Sequence, residues 1–159
     1  MKQYKLRVRE LIFSDIEAFH TMQSDIRVMQ FITEKAATYD ESVAKLVKFI
    51  KRYKTKEMEW PFAIESKETS NFMGICGIIE ENEIGYRFTP NYWKQGFGTE
   101  ILEGLIVFAK SLGLKNLMAE VIVENIGSFK ILQNTGFKIT DKKTCSNTQL
   151  SEYKMFLKL

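Results

Sequence analysis

The chain has 159 residues, 45% of them apolar and 27% charged, a composition that supports one self-sufficient core and excludes extended disorder. Its 23 basic and 20 acidic residues leave a net charge of +3, too small an excess to require nucleic acid as a partner. With one histidine, His20, and two distant cysteines, Cys76 and Cys145, metal centres built on several His or Cys ligands are excluded.

The N-terminal run Met1-Lys2-Gln3-Tyr4-Lys5 is charged and has no apolar core segment, so it does not read as a secretory signal. Leu6-Arg7-Val8-Arg9 alternates apolar and charged residues and predicts a first strand. Ser14-Asp15-Ile16-Glu17 has the form of a capping box and predicts a helix running to Gln23, with His20 inside it in a structural or surface role. A second helix is predicted from Asp40 to Tyr53, where Val43, Leu46, Val47 and Ile50 form one apolar stripe. Lys45, Lys48, Lys51 and Arg52 stand on its other side. They read as a solvated helix face, with an anion-binding patch as the alternative.

From Trp60 the pattern changes to a meander of short strands. Pro61–Ile64 is the first, Glu65–Asn71 a polar turn, and Phe72–Ile79 a continuous apolar strand. Glu80-Glu81-Asn82 make the next turn, and Glu83–Phe88 the third strand. A glycine-containing loop leads into a helix from Gly98 to Ser111, ended by Gly113. A strand over Leu117–Val123, a helix over Asn125–Thr135 closed by Gly136, and strands at Phe137–Thr140 and Glu152–Leu159 complete the chain. The longest unbroken apolar run, Leu105–Ala109, is far shorter than the roughly 20 residues of a membrane span. A single domain over residues 1–159 is expected, mixed α/β with helices on both faces of the sheet. Two unpaired cysteines and no membrane segment point to a cytoplasmic protein with free thiols.

The segment richest in chemistry is Tyr92-Trp93-Lys94-Gln95-Gly96-Phe97-Gly98-Thr99-Glu100, which follows a strand and opens a helix. Its glycines permit tight curvature and keep side chains clear of the amides, so that successive N–H groups at the helix start form a seat for phosphate oxygens. Neither nucleotide fingerprint fits: Ile101 stands where G-x-G-x-x-G needs its third glycine, and there is no G-K-[ST].

Four runs taken together are Glu83-Ile84-Gly85-Tyr86-Arg87-Phe88, Trp93 to Glu100, Asn125-Ile126-Gly127-Ser128 and Asn134-Thr135-Gly136-Phe137. In this order they resemble the GNAT superfamily of N-acetyltransferases. Within it, the resemblance is to the RimJ/RimL-like branch that acetylates ribosomal-protein N-termini. The resemblance implies an acyl-CoA N-acyltransferase fold, with a mostly antiparallel central sheet splayed at a β-bulge. It implies acetyl-CoA as cosubstrate and no metal. It places the pantetheine arm along Tyr86, Arg87 and Phe88, the pyrophosphate on the backbone of Gln95, Gly96, Phe97, Gly98 and Thr99, and a further cofactor contact at Asn125 and Ser128. Trp93 stands at the first position of the family's Q/R-x-x-G-x-G/A loop and departs from it. Asn125 is also a good helix N-cap.

Direct transfer from the thioester to an amine needs a base, an oxyanion donor and a proton for the departing thiolate. Glu83 and Glu120 are the candidate bases, with water alone as a third option. Ser128 and Tyr153 are the candidate donors to sulfur, and the backbone of the splayed strand is the oxyanion donor. A primary amine is the expected acceptor: a protein N-terminus, polyamine, aminoglycoside or amino-acid-like amine, with Tyr39, Tyr53 and Trp60 as candidate cleft walls. Monomer and homodimer are both open. Two other classes compete: an acyl-CoA sensor without catalysis, and a nucleic-acid-binding module using the lysines between Lys45 and Lys56. The first would release no CoA on adding amines; the second would show steeply salt-dependent binding.

Overall fold

Residues 4–55 and 61–159 are described by the computed structural model, which places Lys56 and Trp60 outside the described residues. Strands β1 (Leu6–Glu10), β2 (Phe62–Ser66), β3 (Phe72–Ile78) and β4 (Ile84–Phe88) form one antiparallel sheet in that order. Strands β5 (Asn116–Ile122), β6 (Lys138–Thr144) and β7 (Ser151–Lys158) form a second in the order β5-β7-β6. Helices α1 (Ile16–Gln23), α2 (Ile26–Met29) and α3 (Tyr39–Thr55) lie between β1 and β2 in sequence. Helix α4 (Phe97–Ser111) joins the sheets, and α5 (Ile126–Asn134) follows β5.

Successive residues of a strand point to opposite faces, and that alternation makes two cores. Ile64, Cys76, Ile84 and Phe88 go to the α4 side, with Ile101, Leu102, Leu105 and Ala109 of that helix and Leu117, Leu132 and Met155 of the second half. Their neighbours Ala63 and Ile75 go to the other side, under Phe19, Met22, Met29 and Leu46 from α1, α2 and α3.

Four sequence expectations shift. Asp15 rather than Ser14 stands at the N-cap of α1, with no side-chain bond into that helix: a Phe13–Asp15 turn precedes α1, and Asp15 Oδ2 accepts the Ile12 N–H at 2.9 Å. The same carboxylate takes Arg9 at 2.8 Å, so strand and helix start are clamped together. Helix α3 buries Leu46 with Phe49 and Tyr53 against it, whereas Val47 lies outside that core. Strand β6 runs on to Thr144, because β7 offers partners as far as Ser151. The bulge expected in β4 is absent as a register shift: the β3–β4 ladder runs unbroken from Gly74↔Phe88 to Ile78↔Ile84. The irregularity takes another form there, because the Arg87 carbonyl leans across Gly74 into the space a Cβ would fill.

The splay itself is present. Among the described residues β4 meets β5 at one isolated parallel bridge, Glu83↔Met118, beyond which no ladder joins the two strands.

Tyr53, a candidate cleft wall, has its hydroxyl committed to the fold: it accepts the Leu11 N–H at 3.0 Å and donates to the Pro61 carbonyl. Tyr53→Phe leaves both backbone groups unpaired. It is expected to cost about 1–3 kcal/mol in a urea or thermal melt, with unaltered cosubstrate affinity. His20 is likewise structural: its Nδ1 lies 2.9 Å from Ser42 Oγ, and its ring meets Tyr39 edge-on at 5.1 Å.

Candidate active site

The loop between β4 and α4 is anchored at both ends. Trp93, the departure from the family pattern, donates its indole N–H to the Phe88 carbonyl at 2.8 Å, which fixes the loop to the strand. Gln95 spends its side chain on the Asn91 carbonyl at 2.7 Å, leaving only its backbone for a ligand. Gly96 is the N-cap of α4 with φ +85°, a conformation that a β-branched residue would hold under strain. The first amide to reach an intrahelical acceptor is Glu100, bonded to Gly96 O at 3.1 Å. The N–H groups of Phe97, Gly98 and Thr99 precede that ladder and point out of the helix start. Gly98 also lets α5 approach, since a Cβ there would stand 2.7 Å from Ile131 Cδ1.

Which β4 groups face the gap follows from antiparallel alternation. Thr89 N–H bonds Met73 O at 2.9 Å, and Ile79 N–H bonds Glu83 O at 2.7 Å. The odd-numbered residues of β4 therefore turn their backbone toward β3, and Ile84, Tyr86 and Phe88 turn theirs toward β5. Of the three residues expected along the cofactor arm, Tyr86 and Phe88 thus offer backbone groups to the gap. The Arg87 backbone faces β3, and its side chain goes to the α1–α3 side, where Nη1 donates to Gln23 Oε1 at 3.1 Å.

Tyr86 reaches the other side of the sheet, where its hydroxyl lies 3.1 Å from Ser128 Oγ. Burial pushes the phenol pKa up, and the Ser128 contact partly opposes it. Asn125 Oδ1 accepts the Ser128 N–H at 3.3 Å, so the side chain caps α5 and fixes Ser128 at its first turn. Tyr153, the other candidate donor to sulfur, lies tilted against Phe129 with ring centres 5.4 Å apart, and Lys142 Nζ is 5.8 Å from its ring centre.

Glu83 sits at the crotch of the splay, on the bridge to Met118. Its carboxyl is raised from 4.5 to about 7, first by burial and then by Glu120, with Lys143 opposing. Glu120 is ion-paired: Lys143 Nζ holds it at 2.6 Å and reaches Glu152 at 3.4 Å. The structure therefore places the two candidate bases side by side, one ion-paired and one poised to take a proton near neutrality.

Two residues near this site escaped sequence reasoning. Lys45 was grouped with the solvated lysines of α3, yet it is half-buried, while Lys48 and Lys51 are exposed. Gln23 is fully buried. Both leave a signal in the periodicity, since Lys45 lies three residues after buried Ser42 and four before Phe49, and Gln23 four after buried Phe19. Among the described residues no group of three His, Cys, Asp or Glu gathers into a metal site, and no helix is long and apolar enough to cross a membrane.

A family model described as an acetyltransferase (GNAT) domain matches residues 5–138. The uncharacterized N-acetyltransferase p20 of Bacillus licheniformis is 29% identical, over 84% of this chain and 79% of its own length. An acetyltransferase of the GNAT family from Bacillus anthracis superposes with a TM-score of 0.85 at 23% identity, over 99% of this chain and 97% of its own. A spermidine N-acetyltransferase from Vibrio cholerae, solved with CoA and spermine, gives 0.80 at 18% identity, over 97% and 95%.

Proposed function

This chain belongs to the GNAT acetyltransferase family and is an N-acetyltransferase; from that premise we propose that it moves an acetyl group from acetyl-CoA directly to a primary amine, with both substrates bound together. The family's cosubstrate fits the residues present. The N–H groups of Phe97, Gly98 and Thr99, beside the Gln95 and Gly96 amides, suit pyrophosphate oxygens at the positive end of α4. The gap-facing backbone of Tyr86 and Phe88 suits an amide-bearing arm laid in as a substitute strand. Bound there, acetyl-CoA supplies its acetyl group as an activated thioester.

The protein's own groups meet the remaining demands. Glu83 takes the proton of the incoming ammonium, directly or through water, so that the amine is neutral when it attacks. The Tyr86 N–H donates to the carbonyl oxygen as negative charge grows on it. The Tyr86–Ser128 hydroxyl pair delivers a proton toward sulfur. Glu120 and Lys143 act on Glu83 by charge rather than on substrate. The observation that carries this reading is Glu83 at the closed end of the same gap whose open end is lined by unpaired donors.

We place the chain in the RimJ/RimL-like branch on its Glu83–Glu100 run, with a protein N-terminus or a small amine as acceptor. The test is a screen of peptides, polyamines and amino acids with acetyl-CoA, following CoA release and product mass. An acetylated product with stoichiometric CoA is expected. Tight acetyl-CoA binding with no release across all classes would instead make the chain a sensor.

A further inference from the structure

On the α1–α3 side of β4 lies a cluster of donors that acetyl transfer alone does not use. Arg87 reaches from β4 to Gln23 Oε1 at the end of α1, and to Met29 Sδ of α2 at 3.7 Å. The Gln23 side chain is fully buried, and its Nε2 finds no acceptor. Because Oε1 is committed to Arg87, this orphan donor lies within one carboxamide width of the guanidinium. Lys45 of α3 is half-buried and near enough to feel the Arg87 charge. Among the described residues no carboxylate bonds either cation. The neighbouring acids are engaged elsewhere: Glu17 with Tyr39, Asp25 with Arg27, and Glu41 with the Thr38 N–H. Burial pushes Arg87 down to about 10 and Lys45 down to about 8, as expected for cations that lack a counter-charge.

Two half-buried cations and an unpaired amide donor, with no carboxylate among them, are costly alone and complementary to an oxyanion. We propose that Arg87, Lys45 and Gln23 form a seat for a carboxylate or phosphate carried by a small acceptor amine, on the opposite side of β4 from the Tyr86–Ser128 pair. The proposal rests on the acetyl-transfer reading for the same site. Arg87 and Glu83 lie four residues apart on one strand, roughly 13 Å between Cα atoms, which brackets a compact amino acid or amino phosphate between anion seat and base. The positive charge of the seat disfavours polycations.

The test pairs acids with uncharged counterparts as acceptors for the full chain: β-alanine against β-alaninamide, phosphoethanolamine against ethanolamine, and spermidine as the cation. At least one acid is expected to show kcat/KM roughly 10-fold or more above its counterpart, with spermidine poorest; which pair responds separates carboxylate from phosphate. Lys45→Met, which keeps the stem packing, is expected to erase most of that ratio with acetyl-CoA affinity unchanged. Arg87→Gln provides the second variant. Turnover indifferent to the acid, or favouring spermidine, overturns the anion seat. The same pairs are titrated calorimetrically against the CoA-bound protein. Acid-selective binding without turnover keeps the seat and overturns acetyl transfer to these amines, whereas the absence of both selective binding and selective turnover overturns the seat.

Discussion

Glu83→Gln is expected to lower turnover at pH 7 by about 10²–10³-fold, with acetyl-CoA affinity nearly unchanged. The amide keeps the size of the side chain and its place at the β4–β5 bridge but cannot accept a proton. Because the parent carboxyl titrates at about 7, parent kcat/KM should rise with pH through that value as Glu83 deprotonates. The variant should lack this limb and retain only the rise set by the acceptor amine itself. A stability measurement provides an independent sign. Burial and Glu120 raise the folded-state value above 4.5, so between about pH 4.5 and pH 7 the folded protein holds a proton that the unfolded chain has released. The cost of this carboxyl to stability therefore builds across that window and is complete above it. Glu83→Gln removes the cost, and its melting temperature relative to the parent should improve from pH 5 to pH 8 while activity falls. Equal turnover of both proteins from pH 6 to pH 9 would remove Glu83 from the mechanism and leave Glu120 or water as the base.

The second large effect is structural and reaches the site through the backbone. Gly74→Ala would place its Cβ against the Arg87 carbonyl oxygen and within 2.9 Å of the Phe88 Cα. Both obstacles are backbone, so no rotamer change relieves them, and β3 and β4 must separate. We expect a loss of about 3 kcal/mol, a fall of roughly 6–12 °C in melting temperature for a domain of this size. The residues displaced carry the Tyr86 backbone on one side and the Arg87 guanidinium on the other. Acetyl-CoA affinity and acceptor selectivity should therefore both weaken at temperatures where the variant is still folded. Gly85, where a Cβ meets nothing within 4 Å, is the control, and Gly85→Ala should leave melting temperature and acetyl-CoA affinity little changed. A Gly74→Ala protein as stable as the parent would mean that the ladder yields there without cost.

Most elements of the fold were legible because their signals are local. The alternation in Leu6–Arg9, the turn at Glu80–Asn82 and the glycines bounding α4 each depend on a few neighbouring residues. The short helix α2 had no such signal, being only four residues long and held by Asp25, whose side chain accepts the Arg27 N–H. The placing of Asp15 instead of Ser14 at the N-cap of α1 was hidden for a different reason: Arg9, on the preceding strand, holds the Asp15 carboxylate.

The site divides in the same way. The chain's own sequence determines the helix start proposed to seat phosphate, since Gly96, Phe97, Gly98 and Thr99 are contiguous and their amides are oriented together. It also determines Asn125 as a cap and the type of each candidate acid. Only the tertiary structure sets Glu83 apart from Glu120, because it buries the first and brings Lys143 from β6 onto the second. It alone brings Tyr86 to Ser128 across 42 positions, and Arg87 to Gln23 across 64. Periodicity reports which face a residue occupies. Which charges share that face, and how little water reaches them, is set by strand pairing and helix packing between segments far apart in the chain.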